Sequence, residues 1–509
     1  MSTNTLLKLA ALLVLAAAMA LVGCEGDEGP AGPAGPAGPE GPAGPPGDDA
    51  TISEFTFVGE NGQACIHCHA NTVDQMLLTA HTDALVNMDA EDQESPYCLQ
   101  CHTVGWDRPV AFPGDDSWMT AENPDTMGYD DYFGVETEEA EERRMALAGV
   151  QCESCHGAMG PDFNDHRPAI AFGDIGSHDP ENITADDITS ICYPCHGTQF
   201  EGPEGDFTGG YATSGHASAA GGDLDAFQDE HYNHIGSCAV CHNSEGFIAA
   251  NDPALADYEF DHDVNFIGCV TCHDPHMGAE GGGNPAQLRN VDDVVLSYTF
   301  PYEPDDPEAP TVTGYGNGQL CAQCHKGRRD NDNVAGQIAN GYAHFGPHSS
   351  AQADMLIGYG SYEIPGDTYD RTHIHQSAEQ GCVSCHMVRE TVLHGSAQDF
   401  AFHNFRPDVG TNCSGCHGDA FGEDDITTFQ DTIVALMDDL ATRFGYADYL
   451  DMDANWDSTA DGVEPWQREA AYAMFFVLGD GSLGVHNPDY AMDLLNNAIA
   501  YYDANAPGM

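Results

Sequence analysis

The chain is almost devoid of lysine. Lys8 and Lys326 are its two lysines, and 83 acidic residues face 14 basic ones, which gives a formal net charge of −69 at pH 7. Because nucleic acids are bound through clustered Lys and Arg side chains, this composition excludes a nucleic-acid partner. The acidic excess is typical of halophilic proteins, since a Debye length of about 3 Å in 1 M salt screens self-repulsion. An ordinary acidic exported protein is the alternative.

Long apolar segments are also missing after residue 22. The one apolar run, Leu9 to Leu21 behind Lys8, is too short to span a bilayer and predicts a signal peptide over residues 1–23. The run ends in Leu21-Val-Gly-Cys24, which resembles the lipobox of bacterial lipoproteins and makes Cys24 the predicted lipidation site. A free or disulfide-bonded Cys24 is the alternative. We expect an exported chain held by its lipid at the periplasmic face or cell surface, on the outer membrane.

A glycine repeat follows the predicted lipid. Glycine falls at every third position from Gly26 to Gly47, with Gly-Pro-Ala units between. About seven triplets are short for a collagen triple helix, whereas an extended polyproline segment would reach about 70 Å at about 3.1 Å per residue. We predict a collagen-like tether over residues 24–50 that acts as a monomeric spacer, with a trimerising stem as the alternative.

Cysteine is used almost entirely in one motif. Of the 19 cysteines, 18 form Cys-x-x-Cys-His units, whose spacing fits thioether attachment of a haem with the histidine as proximal iron ligand. The sequence thus predicts nine covalently bound haem c groups. The attachment cysteines are Cys65, Cys68, Cys98, Cys101, Cys152, Cys155, Cys192, Cys195, Cys238, Cys241, Cys269, Cys272, Cys321, Cys324, Cys382, Cys385, Cys413 and Cys416. The proximal histidines are His69, His102, His156, His196, His242, His273, His325, His386 and His417.

Zinc sites or disulfides are the rival interpretation of a Cys-x-x-Cys pair. Zinc knuckles join two such units, which an odd number of units does not allow, and zinc does not require a histidine after every pair. Few long apolar periodic stretches lie between residues 51 and 420. Haem faces are therefore expected to supply much of the buried apolar surface.

Enough histidines remain outside the motifs to give every iron a second axial ligand. The predicted distal ligands are His81, His166, His216, His234, His276, His348, His375, His403 and His486. Four of these are preferred over a nearby alternative: His234 over His231, His348 over His344, His375 over His373, and His403 over His394. His67, His178 and His262 are interpreted as spectators.

Several segments resemble one superfamily of multihaem c-type cytochromes, which includes tetrahaem cytochrome c, octahaem hydroxylamine-oxidoreductase-like proteins and pentahaem nitrite reductase. These segments are Thr79-Ala-His81, Cys98-Leu-Gln-Cys-His-Thr-Val-Gly105, Gly149-Val-Gln-Cys-Glu-Ser-Cys-His-Gly157 followed by His166, Cys269-Val-Thr-Cys-His-Asp-Pro-His276 and Gly484-Val-His486-Asn-Pro-Asp-Tyr490. The resemblance covers most of residues 60–500 and implies an electron-transfer scaffold. No motif ends in the lysine of the pentahaem nitrite reductases, and no crosslinking tyrosine can be assigned, which speaks against their enzymatic activities.

We predict a mainly α fold with much irregular structure, in which a nonahaem cytochrome domain over residues 51–420 precedes a helical C-terminal cap over residues 421–509. In the cap, apolar residues recur at helical spacing from Ile426 to Phe444, and Asn487-Pro488-Asp489 begins a last helix. These helices either pack on the haems and on each other or form a homo-oligomer.

Three functions are compatible with nine haems. If every iron carries two histidines, no substrate site is left, and the protein carries electrons in anaerobic or extracellular respiration, between redox partner proteins or extracellular acceptors. A reductase of a small nitrogen or sulfur species at one five-coordinate haem is the alternative. Lys326, Arg328 and Arg329 would then attract an anion, although pairing with propionates or carboxylates also explains them. A filament subunit is disfavoured by a retained lipid.

Overall fold

The computed structural model describes residues 57–106, 128–156, 192–196, 211, 214–216, 239–242, 244–252, 267–277, 286–296, 310–387, 389–394 and 396–506. All of them belong to one unit, Ile52–Met509. The predicted signal peptide, Cys24 and the tether lie outside the described residues. In the described part the chain is mainly helical, with much irregular structure and little sheet. No helix there is both long enough and apolar enough to cross a membrane.

Short helices alternate with irregular segments until the last hundred residues. The α-helices are α1 Ile66–Met76, α2 Pro96–His102, α3 Tyr129–Tyr132, α4 Glu138–Ala146, α5 Cys152–His156, α6 Tyr193–His196, α7 Ala239–His242, α8 Ser244–Asn251, α9 Cys269–Cys272, α10 Gln319–Cys324, α11 Asn331–Asn340, α12 Gln352–Ile357, α13 Cys382–His386, α14 Ser414–His417, α15 Glu423–Phe444, α16 Tyr449–Asn455, α17 Pro465–Asp480 and α18 Pro488–Asn505. Shorter 3-10 turns cover Glu60–Gly62, Asp92–Glu94, Gly316–Gly318 and Ile374–Ser377, and Val409–Cys413 forms a π turn.

Each Cys-x-x-Cys-His motif overlaps one of these helices; Cys65, Cys192 and Cys413 lie just before theirs, and Cys238 lies outside the described residues. These helices are α1, α2, α5, α6, α7, α9, α10, α13 and α14. Residues three apart in a helix lie on the same side, so a helical turn suits the attachment of two such cysteines to one haem. The helices are short because glycine, proline and polar residues follow most motifs closely.

Two short antiparallel strand pairs make up the sheet structure of the described residues. Strand β1, Val294–Val295, pairs with β2, Thr311–Val312, and Val294 lies opposite Val312. Strand β3, Arg389–His394, pairs with β4, Ser396–Ala401, with Arg389 opposite Ala401. The second pair is a hairpin between the eighth and ninth motifs, and the sequence analysis did not predict it.

The C-terminal helices form the largest hydrophobic core. Helix α15 buries Ile433, Met437, Leu440 and Ala441, which recur at the spacing of one helix face. Three acidic residues in its first turn complement the positive end of the helix dipole. Gly445 ends the helix with a φ of 92°, the left-handed conformation that favours glycine at this position.

This core continues into the chain before residue 420. Val334 and Ile338 from α11 and Met355 from α12 pack in the same cluster as Tyr472 of α17 and Tyr490 of α18. Arg468 of α17 donates hydrogen bonds to the carbonyl oxygens of residues 338 and 339, at 3.3 and 3.1 Å, near the end of α11. The C-terminal helices are therefore joined to the segment that carries the seventh motif.

Candidate haem-binding sites

The motif cysteines of the described residues are reduced thiols. No disulfide involves any motif cysteine that the structure describes, from Cys65 to Cys416. In the same part of the chain no group of three or more His, Cys, Asp or Glu side chains is arranged to hold a single metal ion. Cys238 lies outside the described residues, and the side chain of Cys68 is not described.

Histidines from distant parts of the chain meet in pairs. Seven motif histidines each lie beside a histidine from outside the motifs, with ring centres 5.9 to 6.2 Å apart. The pairs are His196 with His81, His156 with His276, His325 with His216, His242 with His348, His273 with His403, His417 with His375, and His386 with His486.

These separations fit an iron between the two rings. Two metal–imidazole bonds of about 2 Å, with about 1 Å from each bonded nitrogen to its ring centre, add up to about 6 Å. Each pair also has a Cys-x-x-Cys unit immediately before its motif histidine, so the attachment point and both axial positions come together. The residues present therefore fit a covalently bound haem with two axial histidines.

Backbone carbonyl groups fix the orientation of several of these rings. The Nδ1–H groups of His102, His273 and His386 donate to the carbonyl oxygens of Ala84, Ala286 and Phe405, at 2.6, 2.8 and 3.0 Å. His375 donates in the same way to Val485, at 2.9 Å. Because Nδ1 carries the proton, Nε2 is left as the nitrogen that can bind iron.

Burial favours the neutral form of several paired imidazoles, which is the form that binds metal. Burial lowers the pKa of His216 to about 4. Burial, followed by the positive charge of Arg328, lowers the pKa of His348 to about 4. Burial also lowers the pKa of His325 and His273. These rings stay unprotonated at neutral pH even before a metal is bound.

Two family models match parts of the chain. Residues 357–506 match the family described as Cytochrome c552, and residues 125–157 match the family described as Cytochrome c554 and c-prime. The chain is a multihaem c-type cytochrome. The first match contains the eighth and ninth motifs together with His375, His403 and His486, and the second contains the third motif. No curated protein matches this cytochrome.

The solved structures that are similar to this cytochrome at low identity include the following three. The outer cell wall cytochrome OcwA is 17% identical with a TM-score of 0.49, over 88% of this chain and 99% of its own. The undecahaem S-layer cytochrome of Carboxydothermus ferrireducens is 18% identical with a TM-score of 0.48, over 91% and 71%. Cytochrome c nitrite reductase from Desulfovibrio desulfuricans is 14% identical with a TM-score of 0.29, over 55% and 68%.

The structure separates the alternative histidines of the cytochrome where it describes them. His348 lies beside His242, whereas the ring of His344 contacts Tyr342, at 6.2 Å. His375 lies beside His417, whereas Nδ1 of His373 accepts the backbone N–H of His375, at 3.3 Å. His403 lies beside His273, and the side chain of His394 is not described. His166, His178, His231, His234 and His262 lie outside the described residues. His67 is described and exposed.

Cysteines from different motifs of the cytochrome also lie together. Five pairs of cysteines from different motifs lie close enough for one thiol to shift the pKa of the other: Cys65 with Cys152, Cys101 with Cys195, Cys192 with Cys269, Cys241 with Cys324, and Cys321 with Cys382. Cys272 and Cys324 pack against one apolar cluster of Phe247, Leu288 and Leu320. Between the eighth and ninth motifs, Asn412 Nδ2 donates to the Ser384 carbonyl oxygen at 3.1 Å.

The basic cluster after the seventh motif lies near one of the histidine pairs. None of Lys326, Arg328 and Arg329 forms a salt bridge with a carboxylate of the described residues. The guanidinium of Arg329 lies over the ring of Tyr342, at 5.1 Å. The charge of Arg328 acts on His242 and His348. Both histidines of this pair, His242 and His348, are present beside the cluster.

The groups that orient the histidine rings were not predicted from the sequence. Backbone carbonyls such as those of Ala84 and Phe405 give no sequence signal, because any residue could supply them. Asp480 is an exception, because an acidic residue at the C-terminal end of a helix opposes the helix dipole and needs a partner. Its Oδ1 lies 2.6 Å from Nδ1 of His486.

Proposed function

We propose that this cytochrome is an exported, lipid-anchored nonahaem electron carrier that works in anaerobic or extracellular respiration. The observation that supports it is the set of seven histidine pairs, each with ring centres 5.9 to 6.2 Å apart beside an attachment motif. When bound, the haems supply iron that gains and loses one electron. Histidines on both sides of an iron leave no position for a substrate, which favours electron transfer over catalysis.

The nine motifs are proposed to hold their haems in one continuous network. The neighbouring cysteine pairs join the first motif to the third, the second to the fourth, the fourth to the sixth, the fifth to the seventh, and the seventh to the eighth. His276, the partner of His156, lies three residues after His273 and so links the third and sixth motifs. The apolar cluster at Phe247 links the sixth and seventh, and Asn412 links the eighth and ninth. An electron that enters at any haem can then reach every other.

The ligand set extends to two sites without a described partner. His69 and His102 are proposed as proximal ligands of the first and second haems, and His166 and His234 remain the predicted distal ligands for the two irons left over. Cys68 and Cys238 complete the attachment pairs with Cys65 and Cys241.

The location rests on the N-terminal sequence. We infer cleavage after residue 23, lipidation of Cys24 and a tether over residues 24–50 that holds the haem domain, residues 51–420, and the cap, residues 421–509, away from an outer membrane. Redox partner proteins or extracellular acceptors would meet the strongly acidic surface, so a basic partner or high ionic strength favours docking.

Haem counting and ligand binding test this function. The intact mass of the mature protein is expected to exceed that of the lipidated chain by nine haems. The fully reduced protein is expected to bind no carbon monoxide, and the oxidised protein to show no spectral change with nitrite or hydroxylamine. Seven or fewer haems on properly matured protein would contradict the count, and a ligand-induced spectral shift would contradict the purely conducting role.

A reductase at one five-coordinate haem is the second candidate, and the first and second motifs are the first places to test for it. Among the described residues, His69 and His102 are the motif histidines without a second histidine beside them. A spectral shift with nitrite or hydroxylamine that disappears in His69→Ala or His102→Ala would support this candidate. The same shift lost in His242→Ala would instead point to the basic cluster.

The anchor has a separate test. Cys24→Ser is expected to release a soluble protein with its full complement of haems, because attachment occurs at other cysteines. Cys24→Ser protein that still requires detergent for extraction would refute the lipid assignment.

A further inference from the structure

A buried carboxylate holds the histidine that faces the eighth motif. Oδ1 of Asp480 accepts a hydrogen bond from Nδ1 of His486 at 2.6 Å, and the Asp480 side chain is fully buried while that of His486 is 20% exposed. The backbone N–H of Ser482 donates to Oδ2 of Asp480 at 3.2 Å, and the Ser482 hydroxyl also contacts this oxygen. The Ser482 hydroxyl oxygen in turn accepts the backbone N–H of His486, at 3.2 Å. Carboxylate and imidazole are thus fixed in one geometry.

Several other paired histidines have neutral partners. The rings of His273, His375 and His386 donate to backbone carbonyl groups, which are neutral. The ring of His348 lies 3.0 Å from the Ser350 hydroxyl, and that of His325 lies 3.2 Å from the Gln352 side-chain oxygen. These partners carry no charge.

The carboxylate of Asp274 also lies near a paired histidine, but at a greater distance. Oδ1 of Asp274 is 3.7 Å from Nδ1 of His276, beyond hydrogen-bond range. The second oxygen of Asp274 pairs with Arg289 at 3.2 Å, which offsets its charge. The Asp480 contact is shorter, and its carboxylate is fully buried.

We propose that Asp480 is a positioning residue that lowers the reduction potential of the haem iron held between His386 and His486. This inference rests on the proposed function, specifically on that ligand pair. A ligating histidine that donates its second N–H to a carboxylate becomes a more basic ligand, and a basic, electron-rich ligand stabilises ferric over ferrous iron. The haem attached at Cys382 and Cys385 is then more reducing than it would be with a carbonyl partner.

The direct test replaces the carboxylate by a neutral group of the same shape. Asp480→Asn keeps a side-chain oxygen for the His486 N–H and makes this ligand resemble its carbonyl-bound counterparts. If the ligand pair's preference for ferric over ferrous iron falls tenfold, the midpoint potential of this one-electron couple rises by about 59 mV. We expect one midpoint of the holoprotein to rise by about this amount or more, measured by spectroelectrochemistry at pH 8. The ferric low-spin resonance that disappears in His486→Ala identifies the haem concerned.

A second variant reverses the sign. Ser482→Ala removes the hydroxyl that shares the charge of Asp480, so the carboxylate becomes a stronger acceptor for His486 and the same midpoint is expected to fall. This variant also keeps the inference testable if Asp480→Asn protein fails to accumulate.

Two controls separate the hydrogen bond from a through-space charge effect. Asp354, another buried carboxylate near Asp480, has its pKa raised by burial to about 6 and is ionised at pH 8. Asp354→Asn is expected to leave the His386/His486 midpoint unchanged. In a His486→Met background no Nδ1–H exists, so Asp480→Asn is expected to add little there.

The outcomes distinguish the inference from its premise. If His486→Met raises no midpoint, the ligand pair is wrong and the proposed network changes with it. If His486→Met raises one midpoint, the ligand pair stands. The role of Asp480 is then refuted if Asp480→Asn leaves this midpoint unchanged, or if it shifts the midpoint equally in the wild-type protein and in the His486→Met variant.

Discussion

Removal of one distal histidine is expected to open one iron and no other. His348 and His344 lie four residues apart, but only His348 meets a motif histidine, His242, with ring centres 5.9 Å apart. The ring of His344 contacts Tyr342 instead. His348→Ala should therefore expose the iron of the fifth haem, and His344→Ala should expose none.

The expected size of the effect follows from the number of sites. Ferrous five-coordinate haem binds carbon monoxide, whereas a haem with two histidines does not, so His348→Ala should bind one molecule per protein, or about one ninth of the haem present. The proximal histidine and both thioether attachments remain, so the haem count should not change. The His348 ring also contacts the Ser350 hydroxyl, which donates to the Lys326 carbonyl oxygen at 2.7 Å. Loss of this contact affects only a local segment.

The assay is a carbon monoxide titration of the fully reduced holoprotein, with haem content checked by intact mass. His373→Ala and His375→Ala form a second matched pair, in which only His375→Ala should bind carbon monoxide, at the ninth haem. Equal binding by both members of either pair would refute the ligand assignment. No binding by His348→Ala or His375→Ala, with all haems retained, would show that the observed histidine pairs do not mark axial positions.

Three further predictions concern stability. Met437 is fully buried in the largest core, so Met437→Ala should lower the free energy of unfolding by about 2–5 kcal/mol in guanidinium titrations, whereas the exposed Leu450→Ala should change it by less than about 0.5 kcal/mol. Burial raises the pKa of Asp354 to about 6, so the fold retains a proton that the unfolded chain releases. Stability should therefore fall as the pH rises from about 4 to 6, by at most about 3 kcal/mol, and Asp354→Asn should remove this dependence; parallel pH profiles would contradict it. A Cβ on Gly318 would lie 2.2 Å from the Gln380 carbonyl oxygen, whereas one on Gly336 in α11 would meet nothing within 4 Å. Gly318→Ala should lower the melting temperature and Gly336→Ala should raise it, and equal shifts would contradict the close contact.

Local patterns predicted the attachment motifs and the C-terminal helices. The apolar spacing of Ile433, Met437 and Leu440 marks one helix face, and Asn487 with Pro488 marks a helix start, where the Asn487 side chain accepts the Tyr490 N–H at 3.2 Å. Such signals lie within a few residues of the structure that they specify. The β3–β4 hairpin was not predicted, because the residues of its two strands do not alternate strongly between apolar and polar side chains.

Long-range pairing could not be predicted. The sequence suggested His81 and His276 as distal ligands, but it gave no means of matching them to His196 and His156, more than a hundred residues away in the chain. The preference for His375 over His373 was equally open, because both histidines lie in one short segment. Their separate environments depend on Val485, which reaches the His375 ring from the C-terminal part of the chain. The distinctive partner of His486, Asp480, likewise depends on the turn after α17.

An iron bound between each histidine pair would make every pair a crosslink. The loops so closed run from residue 81 to 196, 156 to 276, 216 to 325, 242 to 348, 273 to 403, 375 to 417 and 386 to 486. Each loop begins before the preceding one ends, so no position between residues 81 and 486 lies outside a closed loop. Such a chain cannot be divided into independent haem modules. Shortening it from the N-terminus past His81, or from the C-terminus past His486, removes an axial ligand from a haem attached to the part that remains.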